Sequence, residues 1–154
     1  MATVRFHYPQ DADTLYRFVT DPEAVKARSI ALGERDVRVT KSGETITNVR
    51  LVESELPSFA KNLFKPTNTV EEVKAWDAAK KTAKLSVDVK GAPTKVSGTI
   101  AIVASGSGCD YVVDFQVKCS IPLIGGKIEA FATGETEKGL RAEYEYTSKA
   151  LAAK

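Results

Sequence analysis

A long C-terminal segment most constrains what this chain can fold into. From about Ile124 to Ala153 the sequence is rich in Ala, Glu and Lys, which is typical of a long helix. The chain between Glu34 and Ser120 instead alternates apolar and polar residues with a period of two, which is typical of strands. A sheet must bury one face, and no other segment is long enough to cover it. We therefore expect the sheet to wrap around the terminal helix.

The remaining elements follow from periodicity and turn residues. Two short helices are predicted after the first strand, over 11–19 and from Pro22 to about Leu32, with Asp21 as the N-cap of the second. Leu56 to Phe64 is expected to form a short helical turn. The class is thus α+β, with an antiparallel sheet of about seven strands. The predicted strands are 2–8, 34–41, 44–53, 69–78, 83–91, 95–105 and 110–120.

The apolar stripe of the terminal helix changes phase along its length. Ile124, Ile128 and Phe131 share one face, and the later stripe lies on nearly the opposite side at about 100° per residue. The change falls around Gly134 and Gly139. We therefore predict a bend or a loosely packed stretch there. The later stripe comprises Leu140, Tyr144, Thr147 and Leu151.

Size and charge exclude several classes of protein. The 154 residues fit one domain, 1–154, and the net charge of +2 comes without a basic block, so we expect no nucleic-acid partner. No stretch approaches the roughly 20 apolar residues of a membrane span, so we expect no integral membrane segment and a cytoplasmic protein.

Cys109 and Cys119 lie ten steps apart on one predicted strand, too far for a disulfide. One histidine and two separated cysteines predict no metal site, and no motif predicts a cofactor.

Several charged residues fall on predicted inner faces. Strict alternation places Glu72 and Lys74 on the same face as Val70 and Trp76, and Arg50 has the same ambiguity. A bulge or a solvated edge is the favoured interpretation, and a charged pair that faces a wet cavity is the alternative.

Two other polar residues can likewise be interpreted as part of a site or as part of the surface. Glu135 lies one turn after Phe131, where it either faces the cavity or, as we favour, turns outward. His7, the only histidine, lies on the polar side of its strand, so a surface role is expected rather than catalysis.

Short motifs over nearly the whole chain resemble one bacterial family of unknown function in the START-like, or SRPBCC, superfamily. That superfamily has the helix-grip fold and includes the major birch pollen allergen. The resemblance implies a cavity between sheet and helix that holds an apolar small molecule, and it supplies no catalytic motif. The motifs that carry it are Phe6-His7-Tyr8-Pro9, Thr20-Asp21-Pro22, Leu56-Pro57, the Trp76 strand, Gly91-Ala92-Pro93, Val96-Ser97-Gly98-Thr99 and Ile121-Pro122-Leu123-Ile124-Gly125-Gly126-Lys127-Ile128-Glu129.

These considerations lead to a predicted ligand site. Gly98 lacks bulk where a filled core would have a large residue, so it is expected on the cavity wall or against the long helix. Phe59, Leu63 and Phe64 form an apolar cluster that either anchors a loop or gates the cavity. The full set of predicted wall residues is Phe59, Leu63, Phe64, Trp76, Val87, Gly98, Ile100, Ile102, Tyr111, Val113, Phe115, Ile128 and Phe131.

Three functions remain as hypotheses at this stage. The first is the binding or carriage of an apolar or amphipathic small molecule, lipid- or polyketide-like, and an enzyme is the less favoured class. The second is a cyclase or hydratase that uses Glu72 or Glu135 as acid or base. The third is an interaction module with a filled core. The sequence sets neither the ligand nor the oligomeric state.

Overall fold

The computed structural model describes all residues from Met1 to Lys154. Seven antiparallel strands form one sheet in the spatial order β1-β7-β6-β5-β4-β3-β2. The strands from β2 to β7 form a meander, and β1 returns to pair with β7. Strands β1 and β2 therefore form the two edges of the sheet, although they are neighbours in sequence. The strands are β1 Ala2–Tyr8, β2 Arg35–Ser42, β3 Thr45–Glu53, β4 Thr67–Asp77, β5 Thr82–Val89, β6 Thr94–Ser105 and β7 Gly108–Cys119.

Two short helices join the edge strands. Helix α1 spans Ala12–Val19 and α2 spans Pro22–Ala31. The Asp11 side chain accepts a hydrogen bond from the Thr14 N–H at 2.7 Å, and the Asp21 side chain accepts one from the Glu23 N–H at 3.2 Å. Each carboxylate thus satisfies a backbone donor that the first helical turn leaves free. The predicted helix starts are confirmed.

The long helix α3 runs without interruption from Gly125 to Ala152. Of the two alternatives predicted around Gly134 and Gly139, the burial pattern supports the loosely packed stretch. Buried α3 side chains occur only near its two ends, at Ile128 and at Thr147 and Leu151. Those ends are roughly 28 Å apart at about 1.5 Å per residue. The two apolar stripes therefore meet in a part of α3 whose side chains are only half-buried or exposed.

Most of the apolar core lies at the end of the sheet formed by β1, β7 and β6. Leu15 of α1 and Phe115 of β7 are fully buried there. Tyr144 of α3 stacks on Phe6 with ring centroids 4.7 Å apart and meets Tyr8 edge-on at 5.1 Å. These aromatic contacts attach the C-terminal half of α3 to the edge strand β1.

Cys109 and Cys119 both lie on β7, near its two ends, and both are free thiols. The prediction of one strand with two unpaired cysteines is confirmed. None of the three α-helices is both long and apolar enough to cross a membrane.

Candidate functional site

A cavity with two arms lies between the middle of α3 and strands β3 to β6. The apolar arm has a volume of about 130 Å³, and the polar arm has a volume of about 300 Å³. The two arms share lining residues that include Val52, Val70, Val87 and Thr136, so they lie side by side. A volume of this order is in the range of sites for small organic molecules.

Aliphatic and aromatic side chains line most of the apolar arm. Phe64 and Phe131 lie at one side, with ring centroids 6.5 Å apart. Phe59 also meets Phe131, edge-on at 6.2 Å, and is partly exposed. These contacts join the β3–β4 connection, residues 54–66, to α3 beside the cavity. The apolar arm is lined by Val52, Leu56, Phe64, Val70, Val87, Val89, Val96, Val117, Phe131 and Ala132, with Ser54, Asn68, Thr94, Glu135 and Thr136.

Charged side chains occupy the polar arm. Arg50, Glu72 and Lys74 all face inward, and the β3–β4 register is regular throughout their length. The favoured expectation of a bulge or a solvated edge is therefore wrong. These three side chains point inward because both strands alternate strictly along this stretch. Their burial is tolerated because each charge has a partner of opposite sign.

Six residues make up the charged cluster. Arg50 lies between two carboxylates, with its Nε 3.4 Å from Glu34 Oε2 and its Nη1 3.6 Å from Glu72 Oε1. Lys74 Nζ lies 3.5 Å from Glu72 Oε2. These separations are longer than the usual 2.7–2.9 Å of a charge-assisted hydrogen bond. The cluster is completed by Arg28 and Glu143, whose Nη2 and Oε1 atoms are 3.5 Å apart.

Electrostatics keep Glu72 ionised despite its burial. Removal from water favours the neutral acid, but Lys74, Arg50 and Arg28 together outweigh this effect and lower the pKa of the Glu72 carboxyl. The pKa of Lys74 is raised, because the attraction of Glu72 outweighs the loss of hydration. Glu72 is thus a fixed negative charge near neutral pH and is unsuited to donate a proton.

The other weak catalytic candidate, Glu135, lies at the rim of the cavity. It lines both arms, yet its side chain is 41% exposed and pairs with Lys138 at 3.6 Å. His7 is also largely exposed, and its Nδ1 lies 2.7 Å from Asp110 on the outer face of the sheet. Glu135 thus shares the polar arm with Glu72 but lies at its rim, whereas His7 lies away from the cavity.

The predicted wall residues divide between the cavity and the core. Phe64, Val87 and Phe131 line the cavity, and Tyr111 lines a water-sized space of about 10 Å³ beside Arg28 and Glu143. Phe59 packs outside Phe131, and Leu63 is half-buried in the same connection. Placing the remaining apolar residues on the wall is wrong, because they lie where the sheet and helices are tightly packed. They are Trp76, Ile100, Ile102, Val113, Phe115 and Ile128.

Gly98 requires a different correction. A Cβ atom at this position would lie 2.0 Å from the Asp114 carbonyl oxygen and 2.8 Å from Phe115 Cα on the paired strand β7. The atoms nearest to such a Cβ all belong to the β7 backbone, and Gly98 does not line either arm of the cavity. The glycine allows two neighbouring backbones to approach closely, which is one of the few roles glycine has within a strand.

Sequence reasoning missed Arg28, Glu34 and Glu143. Two of them lie at helical spacings from apolar residues, and this pattern could have identified them. Arg28 lies three residues after the buried Val25, and Glu143 lies between Leu140 and Thr147 at spacings of three and four. Both positions thus belong to the inward stripe of an amphipathic helix.

Solved structures share this arrangement of sheet and helices. A protein from Thermus thermophilus matches with a TM-score of 0.73 and 14% identity, covering 99% of this chain and 97% of that one. The Zhui aromatase/cyclase from Streptomyces sp. R1128 matches at 0.67 and 12%, covering 97% and 94%. Norcoclaurine synthase from Thalictrum flavum, in complex with dopamine and hydroxybenzaldehyde, matches at 0.63 and 13%, covering 96% and 86%. These matches establish the fold, which is the helix-grip fold.

The family is established by sequence. Residues 3–151 match the model of DUF2505, described as a protein of unknown function, and the chain belongs to this family. No curated protein matches the chain by sequence.

Proposed function

We propose that this protein binds an apolar or amphipathic small molecule in the two-armed cavity between the sheet and α3. The main support is the packing of α3, which is buried near both ends and open along its middle. A helix that only completed a core would bury apolar side chains along its whole length. The filled core of an interaction module does not fit this packing.

The composition of the cavity wall supports binding of an amphipathic molecule. Branched aliphatic side chains and two phenylalanines surround the apolar arm, and charged groups are concentrated in the polar arm. A ligand with an apolar body and a polar head would match both environments. Two similar structures, the aromatase/cyclase and norcoclaurine synthase, are named as enzymes. Here, however, the lowered pKa of the Glu72 carboxyl makes it a weak base as well as a group that holds no proton near neutral pH, so we favour binding over acid–base catalysis.

A blocking variant tests the proposal. Val87 lines both arms, so Val87→Phe would fill space that a ligand needs. Val103→Phe makes the same change on β6 at an outward-facing position that is 45% exposed. We expect the parent protein and Val103→Phe to bind the neutral apolar dye Nile red, and Val87→Phe to bind it at least about tenfold more weakly.

Native mass spectrometry of the purified protein provides a second measurement. We expect a non-covalent adduct that is retained in Val103→Phe and lost in Val87→Phe. Equal dye binding by the two variants would show that the dye binds elsewhere and would remove the support for the cavity as a binding site.

A further inference from the structure

The wall of the polar arm is unfavourable to an anionic ligand. Four carboxylates line it, whereas Arg50 and Lys74 are the cations that line it directly. A carboxylate or phosphate head group in this arm would lie near four like charges, while the cations beside them are already paired. The four carboxylates are those of Glu34, Glu72, Glu135 and Glu143.

A cationic head group is also disfavoured, because every wall carboxylate already has a cation beside it. Glu34 and Glu72 pair with Arg50, and Glu72 also pairs with Lys74. The other two carboxylates pair with residues behind the wall or at its rim, Glu143 with Arg28 and Glu135 with Lys138. Four cations therefore balance four anions. An added ammonium group would be a charge without a counterion.

The unsatisfied polar atoms of the charged cluster are donors. Arg50 Nε and Nη1 are buried and make no hydrogen bond to another protein atom, and the Arg50 side chain, which is 10% exposed, lines the polar arm. A buried donor without an acceptor carries a desolvation cost that an incoming oxygen can relieve. The loose separations of 3.4 and 3.6 Å to Glu34 and Glu72 leave the guanidinium free to make small adjustments toward such an oxygen.

We infer that the ligand of this cavity carries an uncharged oxygen head group, such as a ketone or an alcohol, which accepts a hydrogen bond from Arg50. The inference rests on the proposed binding function and adds the chemical class of the ligand. Because the charges around the polar arm already balance, a ligand head group of either charge is disfavoured. The two unsatisfied N–H donors of Arg50 instead favour a neutral group that accepts a hydrogen bond. The apolar body occupies the apolar arm, beside Phe64, Phe131 and Val87.

The test compares five probes with matched apolar bodies. These are 2-undecanone, 2-undecanol, undecane, undecanoate and undecylamine, each used below its aggregation limit to displace Nile red from the parent protein near neutral pH. We expect the ketone and the alcohol to bind at least about fivefold more tightly than undecane, which corresponds to one net hydrogen bond. Undecanoate and undecylamine should both bind more weakly than the ketone.

A charge-balanced variant assigns the preference to Arg50. Arg50→Gln combined with Glu34→Gln removes one charge of each sign and should reduce the preference for ketone over undecane to less than about twofold. The matched control is Arg35→Gln combined with Glu53→Gln, an exposed pair on β2 and β3 whose Nη2 and Oε1 atoms are 2.6 Å apart. This control should keep the parent's preference. Circular dichroism establishes that both variants are folded.

The outcomes separate the two proposals. Undecanoate or undecylamine binding as tightly as the ketone, or undecane matching it, overturns the head-group inference while apolar binding stands. If no probe displaces the dye and Val87→Phe leaves dye binding unchanged, the binding function fails and the head-group inference fails with it. The order of the five probes on the parent protein decides the question even if the Arg50 variant does not fold.

Discussion

The same helix is packed in two different ways along its length. Toward its C-terminal end, Tyr144 stacks on Phe6 and Leu151 joins the core formed by β1, β6 and β7. Along its middle, Glu135, Thr136 and Gly139 face a cavity over β3 to β6. The first region closes the apolar core, and the second leaves a cavity between sheet and helix.

The inner faces of the sheet differ in the same way. At the packed end, β7 presents Tyr111, Val113 and Phe115, all buried and apolar in character. At the open end, β4 presents Glu72 and Lys74 on the corresponding face. Charges are tolerated where the opposing helix is not in close contact, since they can pair with one another instead of being pressed against apolar groups.

The largest expected difference comes from truncating one side chain in each region. Phe115→Ala should lower the free energy of unfolding by about 3–5 kcal/mol, because Phe115 is fully buried and its loss leaves a cavity. Val87→Ala should cost less than about 1 kcal/mol, because Val87 already borders open space. Urea denaturation of both variants gives the comparison. Similar costs would show that the region around Val87 is as well packed as the core.

Breaking the charged cluster should have the next largest effect. Lys74 makes its only salt bridge with Glu72, so Glu72→Gln leaves a buried ammonium without a counterion and should cost about 3 kcal/mol. Adding Lys74→Met should restore much of that stability. Chemical denaturation of the single and double variants measures both effects. A double variant no more stable than Glu72→Gln would show that the two charges are not coupled.

The lowered pKa of Glu72 predicts that the stability of the folded state depends on pH. The folded-state pKa of Glu72 lies below its ordinary value of 4.5, so its contribution to stability is complete above about pH 4.5. That contribution is lost as the pH falls through the lower folded-state pKa, because the proton binds more tightly to the unfolded chain. Thermal unfolding between pH 3 and pH 7 should therefore show a steeper acid loss in the parent than in Glu72→Gln, after the constant offset is removed. Parallel curves would contradict this prediction.

Glycine substitutions should have opposite signs in the two regions. Gly98→Ala brings a methyl group against the β7 backbone and should cost about 1–3 kcal/mol. Gly139→Ala adds a methyl group where nothing lies within 4 Å and should stabilise α3 by about 0.5–1 kcal/mol. Melting temperatures report both signs. A stabilising Gly98→Ala would mean that β6 and β7 are not as close as described.

The smallest expected effect concerns one hydroxyl group at the packed end. The Tyr144 hydroxyl donates a hydrogen bond to the His7 carbonyl oxygen at 3.1 Å near the surface. Tyr144→Phe keeps the ring stack on Phe6 and removes this bond, so it should cost about 0.5–1.5 kcal/mol. Tyr144→Ala, which also removes the stack, should cost clearly more in the same urea titration. Equal costs would show that the ring contributes nothing.

The sequence by itself determined the element types, the antiparallel meander, the helix starts at Asp11 and Asp21, and the wrapping of the sheet around a long helix. These features depend on local signals, namely periodicity, capping residues and turn residues. The alternation around Glu72 and Lys74 is also present in the sequence, although a bulge or a solvated edge is the interpretation that it favours there. That error arose because the cost of burying a charge depends on its partners, and Arg28, Arg50 and Glu143 come from three other elements.

Only the tertiary structure decided which inward-facing residues line a cavity and which lie in the core. Val87 and Ile100 have the same alternating pattern, yet one borders open space and the other is fully buried. Gly98 has an apolar neighbourhood in sequence, but its role depends on the distance to the β7 backbone. Val87 and Ile100 differ in how closely α3 packs over them, and the role of Gly98 depends on how closely β7 approaches it. Both distances are set by packing between residues remote in sequence, which periodicity along one strand does not encode.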